Sequence, residues 1–160
     1  MKLECSLIKL KNAILRVEKI TSKNLTLPIL DSILFIAKGK SLKLRATNLS
    51  LGVEIEIQAK IFQEGIVLIK GAVLSNIFNN LYQEETIILE GINSNLSFKT
   101  KENNILLKGQ PFDDFPTIPN ISGYNFKLPT KKFLEGIRDV YYSASTSDIK
   151  PEISSIFIYP

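Results

Sequence analysis

Ser32-Ile-Leu-Phe-Ile-Ala-Lys38, the pair Gly39-Lys40, Ser41-Leu-Lys-Leu-Arg-Ala46 and Val53-Glu-Ile-Glu-Ile57 follow one another in the first half of the chain. An apolar run and an alternating run joined by two turn-forming residues make a hairpin. The alternation of the last segment turns Val53, Ile55 and Ile57 toward a core, while Glu54 and Glu56 face water or a neighbouring strand. Upstream, between Leu7 and Ile20, Leu10, Ala13, Ile14 and Val17 recur at helical spacing within about 100° of arc. The opening residues therefore read strand, helix, strand, strand, strand.

The plan then recurs. Gly65-Ile-Val-Leu-Ile69 reads as a strand, and Ala72 to Leu81 as a helix whose apolar side is Val73, Leu74, Ile77, Phe78 and Leu81. Three strands follow, Thr86-Ile-Ile-Leu-Glu90, Asn95-Leu-Ser-Phe-Lys99 and Ile105-Leu-Leu-Lys108, separated by the turn-forming Gly91-Ile-Asn-Ser94 and Lys101-Glu-Asn-Asn104. A third copy opens at Tyr124. It has Asn125-Phe-Lys-Leu128 as a strand, a helix from Pro129 to Val140 built on Phe133, Leu134 and Ile137, and a closing strand Ile153-Ser-Ser-Ile-Phe-Ile-Tyr159.

A period of about 60 residues predicts an α+β fold of duplicated β-α-β-β-β units, with two helices packed on antiparallel sheet. Pro111-Phe-Asp-Asp-Phe-Pro-Thr-Ile-Pro119, with its three prolines, marks a boundary. Residues 1–122 then read as one complete domain and 123–160 as the start of a second. A final apolar strand without a partner in the chain leaves its backbone groups and apolar face uncovered, which reads as a shortened protein.

With 160 residues, 44% of them hydrophobic and 22% charged, the chain can fill one full core. It has no histidine and one cysteine. The usual transition-metal sites, disulfide frameworks and Ser/His or Cys/His nucleophilic machinery therefore lack their parts. The adjacent carboxylates Asp113-Asp114 and Glu84-Glu85 come nearest to a metal-dependent nuclease site, but a solvated loop explains each pair better. No G-x-x-x-x-G-K phosphate loop occurs, so no catalytic residue, metal or cofactor is expected. Cys5 reads as a small strand or core residue. The absence of a basic, then apolar leader and of a membrane-length apolar run points to the cytoplasm. Without a secretory context, the sequons at Asn24, Asn48, Asn95 and Asn120 carry no glycan.

Residues 1–60 hold 11 basic and 5 acidic side chains, 61–124 hold 4 and 7, and 125–160 hold 5 and 4. A basic segment beside a mildly acidic one predicts one surface that meets a polyanion and another that repels it. Lysines outnumber arginines by 17 to 3. Lysine is a flexible point charge, suited to backbone phosphate rather than to bidentate base reading. On the first helix Lys9, Asn12, Arg16 and Lys19 form a polar, mainly basic stripe. It reads either as a solvated face or as a phosphate-facing strip, and the charge distribution favours the second.

Thr26-Leu-Pro-Ile-Leu30, the Ala46-Thr-Asn-Leu49 turn before an alternating strand, and Asp114-Phe-Pro116 resemble the bacterial DNA polymerase III beta subunits, the sliding clamps. The resemblance runs along all 160 positions and implies the DNA-clamp fold. In that family three such domains per chain close as a head-to-tail homodimer into a ring around duplex DNA, with helices lining the hole. The resemblance therefore implies that Lys9, Arg16 and Lys19 line the channel, with Lys131, Lys132 and Arg138 on the next domain's helix. Two DNA-reaching loops correspond to Lys23 and Asn24, where the family often has Arg at the second position, and to Ser147 and Lys150. The ring interface falls on Ile105 and Leu107, and Ile153 matches part of the rim of the pocket that takes partner peptides. The implied partners are double-stranded DNA, the DNA polymerase III alpha subunit and the clamp loader, without a membrane and without intrinsic catalysis. The alternative is a non-enzymatic, dimerising protein-interaction module of the same fold that does not encircle DNA.

Overall fold

The computed structural model describes residues 1–21, 27–81, 86–99, 104–119, 123, 127–147 and 150–159. Eight strands and three helices follow in the order β1 (Lys2–Ser6), α1 (Leu7–Glu18), β2 (Ser32–Lys38), β3 (Ser41–Thr47), β4 (Gly52–Gln63), β5 (Gly65–Lys70), α2 (Gly71–Asn79), β6 (Thr86–Ile92), β7 (Asn95–Lys99), β8 (Asn104–Leu107) and α3 (Thr130–Tyr141). The β-α-β-β-β unit thus occurs twice. The chain divides into two compact units, Met1–Pro119 and Asn120–Pro160.

All eight strands form one antiparallel sheet in the order β5-β2-β3-β4-β1-β6-β7-β8. The two units of the repeat exchange their first strands: β1 lies beside β6 and β5 beside β2. The halves are joined through β4, which pairs with β3 over its first part and with β1 through Ala59 to Gln63. A register shift between Lys2 and Leu3 bends that junction. At the opposite end β5 meets the segment after β8 through one bridge, Leu68 to Gln110.

The turns follow from local chemistry. Gly39, with φ of 63°, closes the β2–β3 hairpin. At the β3–β4 turn the Asn48 side-chain oxygen accepts from the amides of Ser50 (3.1 Å) and Leu51 (2.8 Å), and the Thr47 hydroxyl accepts from Leu49 (3.0 Å). Strand β6 runs on through Ile92, so the expected four-residue turn at Gly91–Ser94 is only Asn93-Ser94, both at positive φ.

The core lies between the inner sheet face and the two helices. It takes Leu10, Ala13, Ile14 and Val17 from α1, Leu74 and Phe78 from α2, and Leu3, Phe35, Leu44, Leu89 and Phe98 from the strands. The rings of Phe78 and Phe98 stand 5.2 Å apart. Val73, read as apolar-side, is 42% exposed; its position on the helix turns it away from Leu74 and Phe78. Leu34 and Leu68 are buried yet stand apart from this core. Their alternation with Phe35 and Val67 places them on the outer face. There the segment after β8 is fixed at both ends: the Gln110 amide donates to Leu68 (3.0 Å), and Ile118 packs on Gly52. The three-proline segment is therefore a strap across the outside of the sheet.

In the second unit α3 has no buried residue, and Phe133 and Leu134 are 37% and 48% exposed. The expected strand Ile153–Tyr159 is a turn followed by irregular chain, because no described strand lies beside it to satisfy its amides and carbonyls. Of the expected strand Asn125–Leu128, residues 125 and 126 lie outside the described residues, and the rest is irregular.

Candidate nucleic-acid interface

Strand β1 passes directly into α1 at Ser6–Leu7, so the helix is set against the sheet from its first turn. Burial of Leu7, Leu10, Ala13, Ile14 and Val17 fixes its rotation. Lys9, Asn12, Arg16 and Lys19 are consequently left exposed along the other side. Lys9, Asn12 and Arg16 rim a trough of about 230 Å³ whose remaining wall is Ala13 with Ile55 and Ile57 of β4. Lys11 is placed differently: its Nζ donates to the carbonyls of Asn79 (2.9 Å) and Leu81 (3.3 Å) at the end of α2. There it satisfies terminal carbonyls and opposes the negative end of the helix dipole. The alternation of lysines along α1 did not distinguish this role, which depends on where α2 ends.

Several cations of the sheet are engaged. Lys2 pairs with Glu90 (3.5 Å), Lys43 with Glu54 (2.8 Å) and Glu56 (3.7 Å), Arg45 with Glu54, and Lys70 with Asp31 (3.3 Å). Lys60 lies over the ring of Phe62. The hydrogen bond between Lys43 and Glu54 raises the lysine's pKa and holds the glutamate's carboxyl below the ordinary range. Among the described residues no carboxylate pairs with Lys9, Arg16 or Lys19. Among the described residues α1 thus presents three cations along one face without a carboxylate partner, whereas on the sheet Lys2, Lys43, Arg45 and Lys70 are paired and Lys38 and Lys99 are not.

The remaining expected positions are dispersed. Lys131 and Lys132 open α3 and Arg138 stands in its last turn, all exposed, with Glu135 and Asp139 exposed among them. The Ser147 amide donates to the Ser145 hydroxyl (3.1 Å), and the exposed Lys150 gives its carbonyl to the amides of Ile153 and Ser154. Ile153 is 56% exposed. Lys23 and Asn24 lie outside the described residues, as do Glu84 and Glu85. On β8 Ile105 is half-buried, Leu107 is buried in the core, and Leu106 between them is 67% exposed. Leu106 went unnoticed in the sequence, although strand alternation marks it as the outward residue.

No group of three or more His, Cys, Asp and Glu side chains that could hold a metal occurs among the described residues. Asp113 and Asp114 are exposed in the turn closed by the Phe115 amide on Phe112. Cys5 is buried, and burial, with Glu4 beside it, pushes its thiol up to about 12, where it is inert. Among the described residues no helix is long and apolar enough to cross a membrane.

The family model for the DNA polymerase III beta subunit, N-terminal domain, matches residues 1–119. The chain belongs to that family. This family is one of non-catalytic subunits. A beta sliding clamp of Synechocystis sp. is 28% identical over 99% of the chain and 43% of its own length. That of Mycoplasma genitalium is 28% identical over 86% and 37%. The crystal structure of the Bacillus subtilis DNA polymerase sliding clamp superposes with a TM-score of 0.87 at 23% identity, covering 94% of the chain and 42% of the clamp. The α+β clamp fold is therefore the architecture of this family member. The chain spans about two fifths of the length of these relatives.

Proposed function

We propose that this chain is the opening part of a cytoplasmic sliding-clamp subunit that encircles duplex DNA and tethers the replicative polymerase. In this reading residues 1–122 are the complete first clamp domain and 123–160 the beginning of the second. One observation carries it. Among the described residues Lys9, Arg16 and Lys19 form a cationic stripe on α1 that no carboxylate pairs with, whereas the sheet-borne Lys2, Lys43, Arg45 and Lys70 are held by carboxylates.

A sliding ring needs long cationic side chains that meet phosphates diffusely, since short bidentate contacts would pin it at one register. Processivity then comes from topology rather than from affinity. Lys23, Asn24, Ser147 and Lys150 extend the contact from two loops, and Lys132 and Arg138 from the second domain's helix. The β8 edge, with Ile105 and Leu107, lies at the homodimer interface, where an open strand edge invites pairing. Ile153 belongs to the rim of a peptide pocket for the DNA polymerase III alpha subunit and the clamp loader.

Retention on DNA tests this reading. A subunit carrying this chain and its two further domains, loaded by the clamp loader on nicked circular DNA, is expected to stay bound at high salt and to be released when that DNA is linearised. Equal retention on circular and linear forms overturns encirclement and leaves the protein-interaction module.

A further inference from the structure

The internal duplication allows each side chain of α1 to be compared with its counterpart on α2. Setting Leu7 against Gly71, where each helix begins after its strand, pairs Leu10 with Leu74, Ile14 with Phe78 and Val17 with Leu81. All of these are core or core-facing positions, so the correspondence is structural. It also pairs the exposed stripes: Lys9 with Val73, Asn12 with Asn76 and Arg16 with Asn80. Both stripes are exposed, yet the second carries no cation. Residues Gly71–Asn79 contain no charged side chain.

The asparagine at the end of that second stripe is also engaged. The Asn80 side-chain amide donates to the carbonyl of Asn76 (2.8 Å). The carbonyls that end α2 are covered by Lys11, which removes their repulsion for an anion without offering α2 a free charge of its own.

We propose that the first unit meets its polyanion on one side only, through Lys9, Arg16 and Lys19 of α1, while the equivalent face of α2 is a neutral wall that a duplex passes without phosphate contact. The inference rests on the nucleic-acid reading above. A phosphate run then lies along the α1 stripe beside the trough floored by Ile55 and Ile57, off the centre line between the helices.

Fluorescence anisotropy of a labelled mixed-sequence duplex, titrated with the 160-residue chain over a salt series, tests it. Each neutralised phosphate contributes about 0.9 to the slope of log affinity against log salt, so the combined Lys9→Gln, Arg16→Gln, Lys19→Gln variant is expected to lower the slope by about 2 to 3. The Asn76→Ala, Asn80→Ala variant should keep the slope and stay within about twofold in affinity. Placing the charges on the other helix, Val73→Lys with Asn80→Arg in the triple-Gln background, should restore most of the lost slope. Circular dichroism melting of each variant separates misfolding from lost contact. A drop for the asparagine variant as large as for the lysine and arginine variant overturns the one-sided contact, as does an unchanged slope in the latter. Salt-independent affinity or no binding by the unaltered chain overturns instead the nucleic-acid reading on which it stands.

Discussion

Glu54 accepts from Lys43 and Arg45 on the outer face of the sheet. The bond from Lys43 holds its carboxyl below the ordinary range, so the unfolded chain takes up this proton more readily than the folded one. The pair's contribution is therefore present at neutral pH and is lost as pH falls through the depressed value of Glu54. Lys43 is displaced upward by the same bond, and its share fades only as pH rises past the ordinary lysine range and through the raised value. Both groups are exposed, so the effect is small. Glu54→Gln is expected to lower stability slightly at neutral pH and to match the unaltered chain in acid, which flattens the acid limb of thermal stability below roughly pH 5. Thermal midpoints measured across pH check this, and an acid limb as steep as that of the unaltered chain refutes it. The alternation of Val53, Ile55 and Ile57 made the outward direction of Glu54 legible in the sequence. Its partners were not, because cross-strand register depends on the turn at Asn48, whose side chain caps two amides.

At the scale of elements, local periodicity disclosed the helix faces and most strands, since core residues repeat at 3.6 or 2 positions. It could not disclose which strands are neighbours. The exchange of β1 and β5 between the two halves is a non-local pairing that leaves no mark in either repeat alone. The strap makes a contact that its composition does not announce. Its prolines read as a boundary, while the amide that ties it to Leu68 belongs to Gln110, just before them. Where the strap starts, an added Cβ on Gly109 would collide with the Ser94 carbonyl oxygen, so only glycine fits. Replacing Gln110 by proline removes the donor to Leu68, and stability is expected to fall by about 1–3 kcal/mol. Amide exchange in β5 should accelerate at the same time. Unchanged exchange there would mean that the strap does not hold the outer face.

At the scale of the whole molecule, the buried hydrophobic residues among those described all precede Asn120: Leu107 is the last of them, and α3 buries nothing. Cooperative unfolding should therefore belong to the first unit. A chain ending at Pro119 is expected to melt within a few degrees of the 160-residue chain, about the shift that 1 kcal/mol produces, as calorimetry can measure. A loss of the cooperative transition on truncation would show that the second unit supports the first. Charge is also a whole-molecule property. Residue counts located the excess of positive charge in the first segment, but they could not separate cations held by carboxylates from those left free. That division exists only once Glu54, Glu90 and Asp31 reach their partners.

The place of β1 has one more consequence. Made first, it ends up deep inside the sheet, with β4 on one flank and β6 on the other. During synthesis, then, the leading segment must wait half-finished until Thr86–Ile92 has left the ribosome. Assembly of this unit is gated by translation of its second half, and a pause before that point would leave an apolar ribbon open to whatever the cell offers it.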